Sequence, residues 1–343
     1  MRPVAILASG MVTPVGLDSP SSCAAIRCGI NPASETRFMA DGDWLVGCSV
    51  PLDPPLRGSP KLARLASIAI AEVLRQFPAG KPAETPLILL VPEKDRPGRL
   101  SGLDRELFES IEDELKIKFH PKSGVISAGR VGIAHALKSA ETFLYESRLP
   151  QCVIVGTDTY LVGPTLAVYG EGRRLLTGEN SNGFIPGEAS AAIMVGPGGA
   201  SKAPELLCLG VGVAQEKATL ESEEPLRADG LVAAFRSAMA DSSRTFDDVD
   251  YRLTDVCGEQ YGFKEAVLAI GRAIRKVKPA FDLWHPAESI GQVGAAIGPV
   301  SLGVALSAAR MGYAPGRGVL CHFGNDDGAR AALVLRWQDG KAA

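Results

Sequence analysis

Short runs of consecutive apolar residues alternate along this chain with longer stretches of helical periodicity. Residues 86–91 and 153–155 are entirely apolar, whereas Leu62, Leu65 and Ala69 recur at the three- and four-residue spacing of one helix face. Apolar runs of this kind, bounded by turns, are typical of strands that are buried on both faces. The alternation of such strands with helices predicts an α/β fold with a mainly parallel sheet covered on both sides.

The same order of elements recurs in the second half of the chain. Strands are predicted at 206–213, 251–254, 319–322 and 331–335, and helices at 226–240, 263–277 and 293–309. The segment 196–202 (GPGGASK) between the two halves is rich in glycine, which is typical of a hinge. We therefore predict two similar halves, an N-terminal one at 1–200 and a C-terminal one at 201–343.

Composition and charge exclude several classes of function. The formal net charge of the 343 residues is −3, so no basic field exists to attract nucleic acid or an anionic membrane. The seven cysteines are scattered without a CxxC pair, and the four histidines lack metal-ligand spacing. No apolar stretch is long enough for a signal peptide or a membrane span. We expect a cytoplasmic protein with free thiols and with neither a metal nor another cofactor.

Four segments resemble, in sequence order, motifs of the β-ketoacyl-acyl-carrier-protein synthases. They are residues 8–16 (ASGMVTPVG), 182–189 (NGFIPGEA), 288–296 (ESIGQVGAA) and 323–335, which opens on Phe-Gly and closes on ALVL. Together they cover nearly the whole chain. The resemblance implies a thiolase fold, in which two βαβαβαββ halves pack in a five-layered α-β-α-β-α arrangement, and it implies a dimer.

The resemblance places the family's Cys-His-His triad at Gly129, Cys257 and Gln292. Glycine offers no side chain that could carry an acyl group, and glutamine cannot exchange a proton during turnover. Ser127 lies near the nucleophile position, but it has no evident base beside it, which favours a structural serine at a strand end. We therefore assign no catalytic residue and predict that the family's condensing chemistry is lost.

The closing glycine-rich loop also departs from the family pattern. The family has Phe-Gly-Phe-Gly-Gly, with a second Phe that gates the acyl pocket, whereas this chain has Phe-Gly-Asn-Asp-Asp-Gly. We predict that Arg130 pairs with Asp326 or Asp327 and plugs the pocket, and a capped, solvated turn is the alternative. A reactive centre built on Cys257 beside these carboxylates and His322 is a further alternative. The pocket candidates are Arg130, Phe323, Asn325, Asp326 and Asp327.

Two functions follow from the resemblance. Residues 174–188 and the acidic loop are similar to thiolase-like accessory proteins of bacterial type VI secretion clusters, which implies a pseudoenzyme acting as a binding or assembly accessory. The alternative is an active 3-oxoacyl-acyl-carrier-protein synthase-like acyltransferase of fatty acid biosynthesis, or a malonyl decarboxylase. Related proteins with glutamine at the nucleophile position act within condensing heterodimers. The implied partners are a second copy or another thiolase-fold protein, and an acyl-carrier protein or a secretion effector.

Overall fold

Strands and helices alternate throughout the computed structural model, which describes residues 1–40, 42–77, 81–199 and 201–340. The strands are β1 (Val4–Val12), β2 (Ser34–Ala40), β3 (Asp43–Gly47), β4 (Leu87–Val91), β5 (Gly124–Ser127), β6 (Cys152–Thr159), β7 (Glu188–Pro197), β8 (Glu205–Gln215), β9 (Tyr251–Thr254), β10 (Leu283–Trp284), β11 (Gly318–Gly324) and β12 (Ala329–Gln338). The helices are α1 (Ser19–Arg27), α2 (Gly58–Gln76), α3 (Glu106–Leu115), α4 (Gly132–Tyr145), α5 (Gly163–Glu171), α6 (Asp229–Ser242), α7 (Gln260–Ala273), α8 (Ala287–Ile290) and α9 (Ile297–Arg310).

Ten of the strands formed by the described residues make one mixed sheet, in the order β10-β9-β11-β12-β8-β1-β7-β6-β4-β5. The five strands that each half contributes to this sheet can be numbered 1 to 5 along the chain, from β1 in the first half and from β8 in the second. From the outer edge of the sheet inward, both halves then have the order 3-2-4-5-1. The two halves meet where the first residues of β1 and β8 pair in antiparallel direction, with Val4 opposite Cys208. The remaining strands, β2 and β3, form a separate hairpin. The sheet is therefore built from two copies of one unit that share a short seam.

Because the sheet is mixed, the prediction of a mainly parallel sheet is wrong. β4 runs parallel to β5 and β6, and β9 runs parallel to β10 and β11. By contrast, β7 and β12 are antiparallel to all their neighbours. β12 follows β11 after a turn that is too short for a crossover helix, and such a connection produces antiparallel neighbours. Helices cover both faces of the parallel and of the antiparallel strands, so apolar runs alone do not reveal strand direction.

Three layers of helices enclose the two halves of the sheet. α4 and α9 lie between the halves, because α4 contacts β6 and β8 while α9 contacts β1 and β11. α2, with α3 beside it, covers the outer face of the N-terminal half, and α6, with α7 beside it, covers that of the C-terminal half. This is the five-layered α-β-α-β-α arrangement predicted for a thiolase fold. None of the helices in the described ranges is both long and apolar enough to cross a membrane.

The central position of α9 explains its composition. Eleven of its fourteen residues are buried, and apolar or small side chains lie on all its sides, as is typical of a helix enclosed in a core. Gly303 permits a close approach to β1, because a Cβ atom at this position would overlap the terminal methyl group of Met11. Burial of each large aliphatic side chain such as Leu302 contributes roughly 1.5–3 kcal/mol. The central layer therefore stabilises the contact between the halves.

Most predicted elements are present, with bounds shifted by a few residues. The helices predicted at 226–240, 263–277 and 293–309 correspond to α6, α7 and α9. The hinge predicted at 196–202 covers the end of β7 and the link to β8, and its residue 200 lies outside the described residues. The β2–β3 hairpin and the two-residue strand β10 have no counterpart in the sequence analysis.

Candidate functional site

The turn between β5 and α4 contains the position that corresponds to the family's nucleophile. A 3-10 turn spans Gly129–Val131 and leads directly into α4. Gly129 has a φ of +53°, a conformation that favours glycine. A Cβ atom at this position would overlap the carboxylate group of Glu93. The space that a cysteine side chain would need is therefore filled by Glu93.

Glu93 follows β4 and was not among the site residues predicted from the sequence. β4 and β5 are parallel neighbours, so residues just beyond their carboxyl ends meet at one edge of the sheet. The signal available in the sequence is a carboxylate that comes shortly after a fully apolar strand. Burial raises the pKa of Glu93, and the positive charge of Arg130 partly opposes this. The half-buried side chain faces a cavity of about 390 Å³ that Arg96 and His135 also line.

The two positions that correspond to the family's histidines lie side by side. Gln292 Nε2 donates a hydrogen bond to Cys257 Sγ at 2.9 Å, and Gln292 Oε1 accepts one from the backbone N–H of Gly294 at 3.2 Å. Burial raises the pKa of the Cys257 thiol far above its ordinary value. Because the thiolate is the reactive form of cysteine, this environment is that of a packed thiol and not of an activated nucleophile.

Asp326 is the centre of an ion-pair network that crosses the site. Its Oδ1 atom lies 2.6 Å from Arg130 Nη2, and its Oδ2 atom lies 2.7 Å from Arg174 Nη1. Tyr169 donates a hydrogen bond to Oδ2 at 2.9 Å. Partial burial opposes ionisation, but the charges of the two arginines overcome this effect and hold the pKa of Asp326 well below its ordinary value. The structure thus contains an ion pair between Arg130 and the acidic loop, and the loop residue in it is Asp326.

Two further carboxylates extend this network. Arg174 Nε and Nη2 each donate a hydrogen bond of 2.8 Å to Glu259, one to each carboxylate oxygen. Arg130 Nη1 lies 3.7 Å from Asp255 Oδ2, which also accepts a hydrogen bond from the backbone N–H of Gly324 at 2.9 Å. Removing one partner of a buried ion pair commonly costs about 3–5 kcal/mol. The network therefore fixes four segments, those preceding α4, following α5, and following β9 and β11.

Phe323 and Asn325 fix the closing loop from its other side. Phe323 is buried at the end of β11. Asn325 is also buried and bridges the loop to the nucleophile turn. Its Nδ2 atom donates a hydrogen bond to the carbonyl oxygen of Ala128 at 3.0 Å, and its Oδ1 atom accepts one from the backbone N–H of Val131 at 3.3 Å. The loop and the turn thus form one connected structure.

Asp327 and His322 have roles separate from the ion-pair network. Asp327 is exposed, makes no ion pair with a described residue and caps its turn by accepting a hydrogen bond from the N–H of Ala329 at 2.8 Å. Asp326 therefore makes the ion pair predicted for Arg130, whereas Asp327 lies in the capped, solvated turn that was the alternative. His322 Nδ1 lies 3.2 Å from Thr254 Oγ1, its one hydrogen-bond partner among the described residues. Burial lowers the pKa of His322 to about 3, so its ring is neutral.

Little free volume remains between these groups. The cavity lined by Arg130, Cys257 and Asp326 has a volume of about 60 Å³. Pockets that hold small molecules typically enclose roughly 300–1,000 Å³. This cavity is therefore too small for an extended acyl chain, whereas the cavity of about 390 Å³ that Glu93 and Val131 line has the volume of a small-molecule pocket.

Known structures resemble this arrangement of elements over nearly the full chain, although no family model and no curated protein matches the sequence. The chain is similar to the ishigamide ketosynthase/chain length factor, with a TM-score of 0.73, 17% identity and coverage of 98% of this chain and 99% of that chain. The chain has the thiolase fold.

Two further ketosynthase structures share this thiolase fold. One is a ketosynthase (ApeO) in complex with its chain length factor (ApeC) from Xenorhabdus doucetiae, with a TM-score of 0.73, 12% identity and coverage of 98% of each chain. The other is a type II PKS acyl-carrier protein in complex with its ketosynthase bound to the hexaketide (AntDE:AntF), with a TM-score of 0.78, 12% identity and coverage of 98% of this chain and 99% of that chain. At these identities the similarity shows the fold alone.

Proposed function

We propose that this thiolase-fold chain is a catalytically degenerate ketosynthase-like protein that acts as a binding or assembly accessory and pairs with a second thiolase-fold protein. The observation that carries the proposal is the overlap between the Glu93 carboxylate and the space of a side chain at Gly129. An acyl-enzyme needs a nucleophile at this position. Any condensation in which the chain takes part must therefore use a nucleophile of the partner.

The ion-pair network supports the same proposal. Arg130, Arg174 and Asp326 place fixed charges where a condensing enzyme would admit an apolar acyl chain. The cavity of about 60 Å³ that Arg130, Arg174 and Asp326 line is too small for such a chain. An accessory subunit needs a stable shape at this place and does not need turnover. The alternative is an active synthase or a malonyl decarboxylase, and a measurement of activity distinguishes it from an accessory subunit.

The partner surface that we propose is the edge of the sheet at β5. Among the described strands β5 pairs with β4 alone, so its other edge presents unpaired N–H and C=O groups. Its last three residues are half-buried and not fully solvated. An edge strand of this kind is a template for pairing with another chain. Two of the similar structures combine a ketosynthase with a chain length factor, which leads us to favour a heterodimer over a homodimer.

The first test is complex formation, measured by native mass spectrometry after mixing the chain with a ketosynthase encoded in the same gene cluster. We expect a one-to-one heterodimer. The complex should be lost in Ile126→Lys, which places a charge on β5, and retained in Val267→Lys, which changes an exposed residue of α7. A homodimer that persists in the presence of the ketosynthase would contradict the heterodimer.

The second test is activity with malonyl-acyl-carrier protein as the substrate. The chain alone is expected to release no CO₂ and to gain no acyl mass, whereas the heterodimer should condense through the partner's cysteine. Decarboxylation by the chain alone, abolished in Gln292→Ala, would establish the malonyl decarboxylase alternative. An acyl adduct on this chain would establish the active synthase.

We also propose that the protein acts in the cytoplasm, in association with a type VI secretion cluster. All seven cysteines are free thiols, which supports a reducing compartment such as the cytoplasm. The association with type VI secretion rests on residues 174–188 and on the acidic loop alone. The gene neighbourhood tests it, because secretion genes would support an assembly role there. Carrier-protein and reductase genes would instead support a role beside a condensing enzyme.

A further inference from the structure

A separate cavity lies where the end of α1, strand β10 and the segment after α9 meet. Its volume is about 320 Å³, which reaches the size of pockets that hold small molecules. It shares no lining residue with the cavity at Cys257. We propose that this cavity binds a small aromatic carboxylate, and the proposal is independent of the function proposed above. We call it the Trp284 cavity, and its lining includes Ile26, Arg27, Trp284, Ser289, Val304 and Tyr313.

Two half-buried aromatic rings form a wall of the Trp284 cavity. The ring centroids of Trp284 and Tyr313 lie 6.3 Å apart, and the ring planes differ by 28°. Behind Trp284, the buried ring of Tyr251 packs at a centroid distance of 4.7 Å and supports the wall from the core. Ile26 and Val304 add aliphatic surface. Such a lining favours a planar aromatic body, because ring faces attract one another beyond the effect of buried area.

Arg27 supplies the charge that selects an anion. It is the last residue of α1, and its guanidinium carbon lies 4.0 Å from the centroid of the Tyr313 ring. Arg27 makes no ion pair within the described parts of the chain. A guanidinium group can donate two parallel hydrogen bonds to one carboxylate. Glu288 also lines the cavity. Like Arg27 it is exposed, and His285 Nδ1 lies 3.6 Å from its carboxylate group.

Ser289 provides a second, buried polar contact. The residue is 2% exposed and lines the cavity. Its hydroxyl group has no hydrogen-bond partner among the described residues, and it is not one of the fully enclosed unpaired atoms, so it is accessible from the cavity. A polar ligand atom at this place can therefore replace water as the partner of the hydroxyl group. The cavity thus combines an aromatic wall, one unpaired cation and one unpaired hydroxyl.

Isothermal titration calorimetry of the full chain with naphthoate tests this proposal. We expect saturable one-to-one binding. Two probes separate the contributions, since octanoate has the charge without the rings and naphthalenemethanol has the rings without the charge. Each should bind about tenfold more weakly than naphthoate, because each lacks one of the two interactions.

Matched variants assign the binding to this cavity. Arg27→Gln should weaken naphthoate about tenfold and leave naphthalenemethanol within about twofold. Arg236→Gln changes an exposed arginine of α6 and should leave both affinities unchanged. Trp284→Leu should weaken both ring probes. Because Trp284 packs on the core, unfolding midpoints are compared for each variant, and the Arg27 result decides alone if Trp284→Leu does not fold.

Three results would overturn the proposal. They are the absence of saturable naphthoate binding to the unmodified chain, an octanoate or naphthalenemethanol affinity equal to that of naphthoate, and a naphthoate affinity that Arg27→Gln leaves unchanged.

Discussion

The second strand of each half, β4 and β9, is followed by a carboxylate, and the two carboxylates have different surroundings. Asp255, after β9, accepts hydrogen bonds from the N–H of Gly324 at 2.9 Å and from Thr254 Oγ1 at 3.3 Å. Glu93, after β4, accepts no hydrogen bond from another described residue, and its carboxylate fills the space beside Gly129. Burial raises the pKa of both groups. The same place in the repeat therefore fixes a loop in one half and fills a cavity in the other.

Adding a side chain at position 129 tests whether Glu93 fills the space beside Gly129. We expect this change to have the largest effect on stability. Gly129→Ala should lower the free energy of unfolding by about 2–3 kcal/mol, because the left-handed conformation costs roughly 1–2 kcal/mol and the Glu93 carboxylate must also move aside. Urea unfolding measures the loss. In the Glu93→Ala background the same change should cost only about 1–2 kcal/mol. Equal losses in both backgrounds would show that Glu93 does not occupy this space.

Removing the carboxylate of Asp255, which accepts hydrogen bonds, is expected to have a comparable but slightly smaller effect on stability. Asp255→Ala should lower the free energy of unfolding by about 2 kcal/mol, because the buried guanidinium of Arg130 loses one of its counter-charges and Gly324 loses its acceptor, while the Arg130–Asp326 pair remains. Asp255→Asn retains an acceptor oxygen and should cost roughly half as much. If Asp255→Ala cost no more than a neutral substitution of Glu93, the contrast between the two carboxylates would be wrong.

Neutralising the carboxylate of Glu93 should stabilise the protein. Burial raises the pKa of Glu93 in the folded state, so the folded state binds its proton more tightly than the unfolded state. The stability of the unmodified chain therefore falls as pH rises from the ordinary glutamate value of about 4.3 through the raised folded value. Glu93→Gln removes this fall and should add about 1 kcal/mol at neutral or higher pH. Unfolding across a pH series measures it, and a gain confined to acidic pH would contradict the assignment.

The smallest effect is expected at Asp327, which serves as a baseline for the bonded carboxylates. Its side chain is exposed and caps a turn through one hydrogen bond to Ala329. Asp327→Ala should therefore lower the free energy of unfolding by only about 0.5 kcal/mol. Asp326→Ala, one residue earlier, should cost clearly more because two arginines lose a shared partner. Thermal unfolding of the two variants compares them, and equal midpoints would count against the network.

The fold was predictable where a residue pattern maps onto one element. The apolar runs at 86–91 and 153–155 and the helical spacing at 293–309 correspond to β4, β6 and α9. Strand direction was not predictable in this way, since helices bury both faces of parallel and antiparallel strands alike. β10 has two residues and carries no periodicity. The sequence therefore predicts which segments are buried better than it predicts how they are paired.

The candidate site was predictable only where the resemblance supplied a register. The register assigned Cys257 and Gln292 to the two histidine positions of one site, and the structure shows a hydrogen bond between these side chains. It could not identify Glu93, because no family motif covers this residue and its contact with the nucleophile turn is tertiary. It also could not separate Asp326 from Asp327, since the backbone of the loop decides which neighbouring aspartate faces the arginines.

The central layer also bears on how the protein is made. α9 packs on β1 across nearly the whole chain. During synthesis, β1, β6 and β7 therefore leave the ribosome long before the helix that completes their inner face. At ~5–20 residues per second, the stretch 197–310 takes roughly 6–23 s to translate. Apolar surface exposed for that time promotes aggregation, so we expect the nascent N-terminal half to depend on chaperones until α9 has been made.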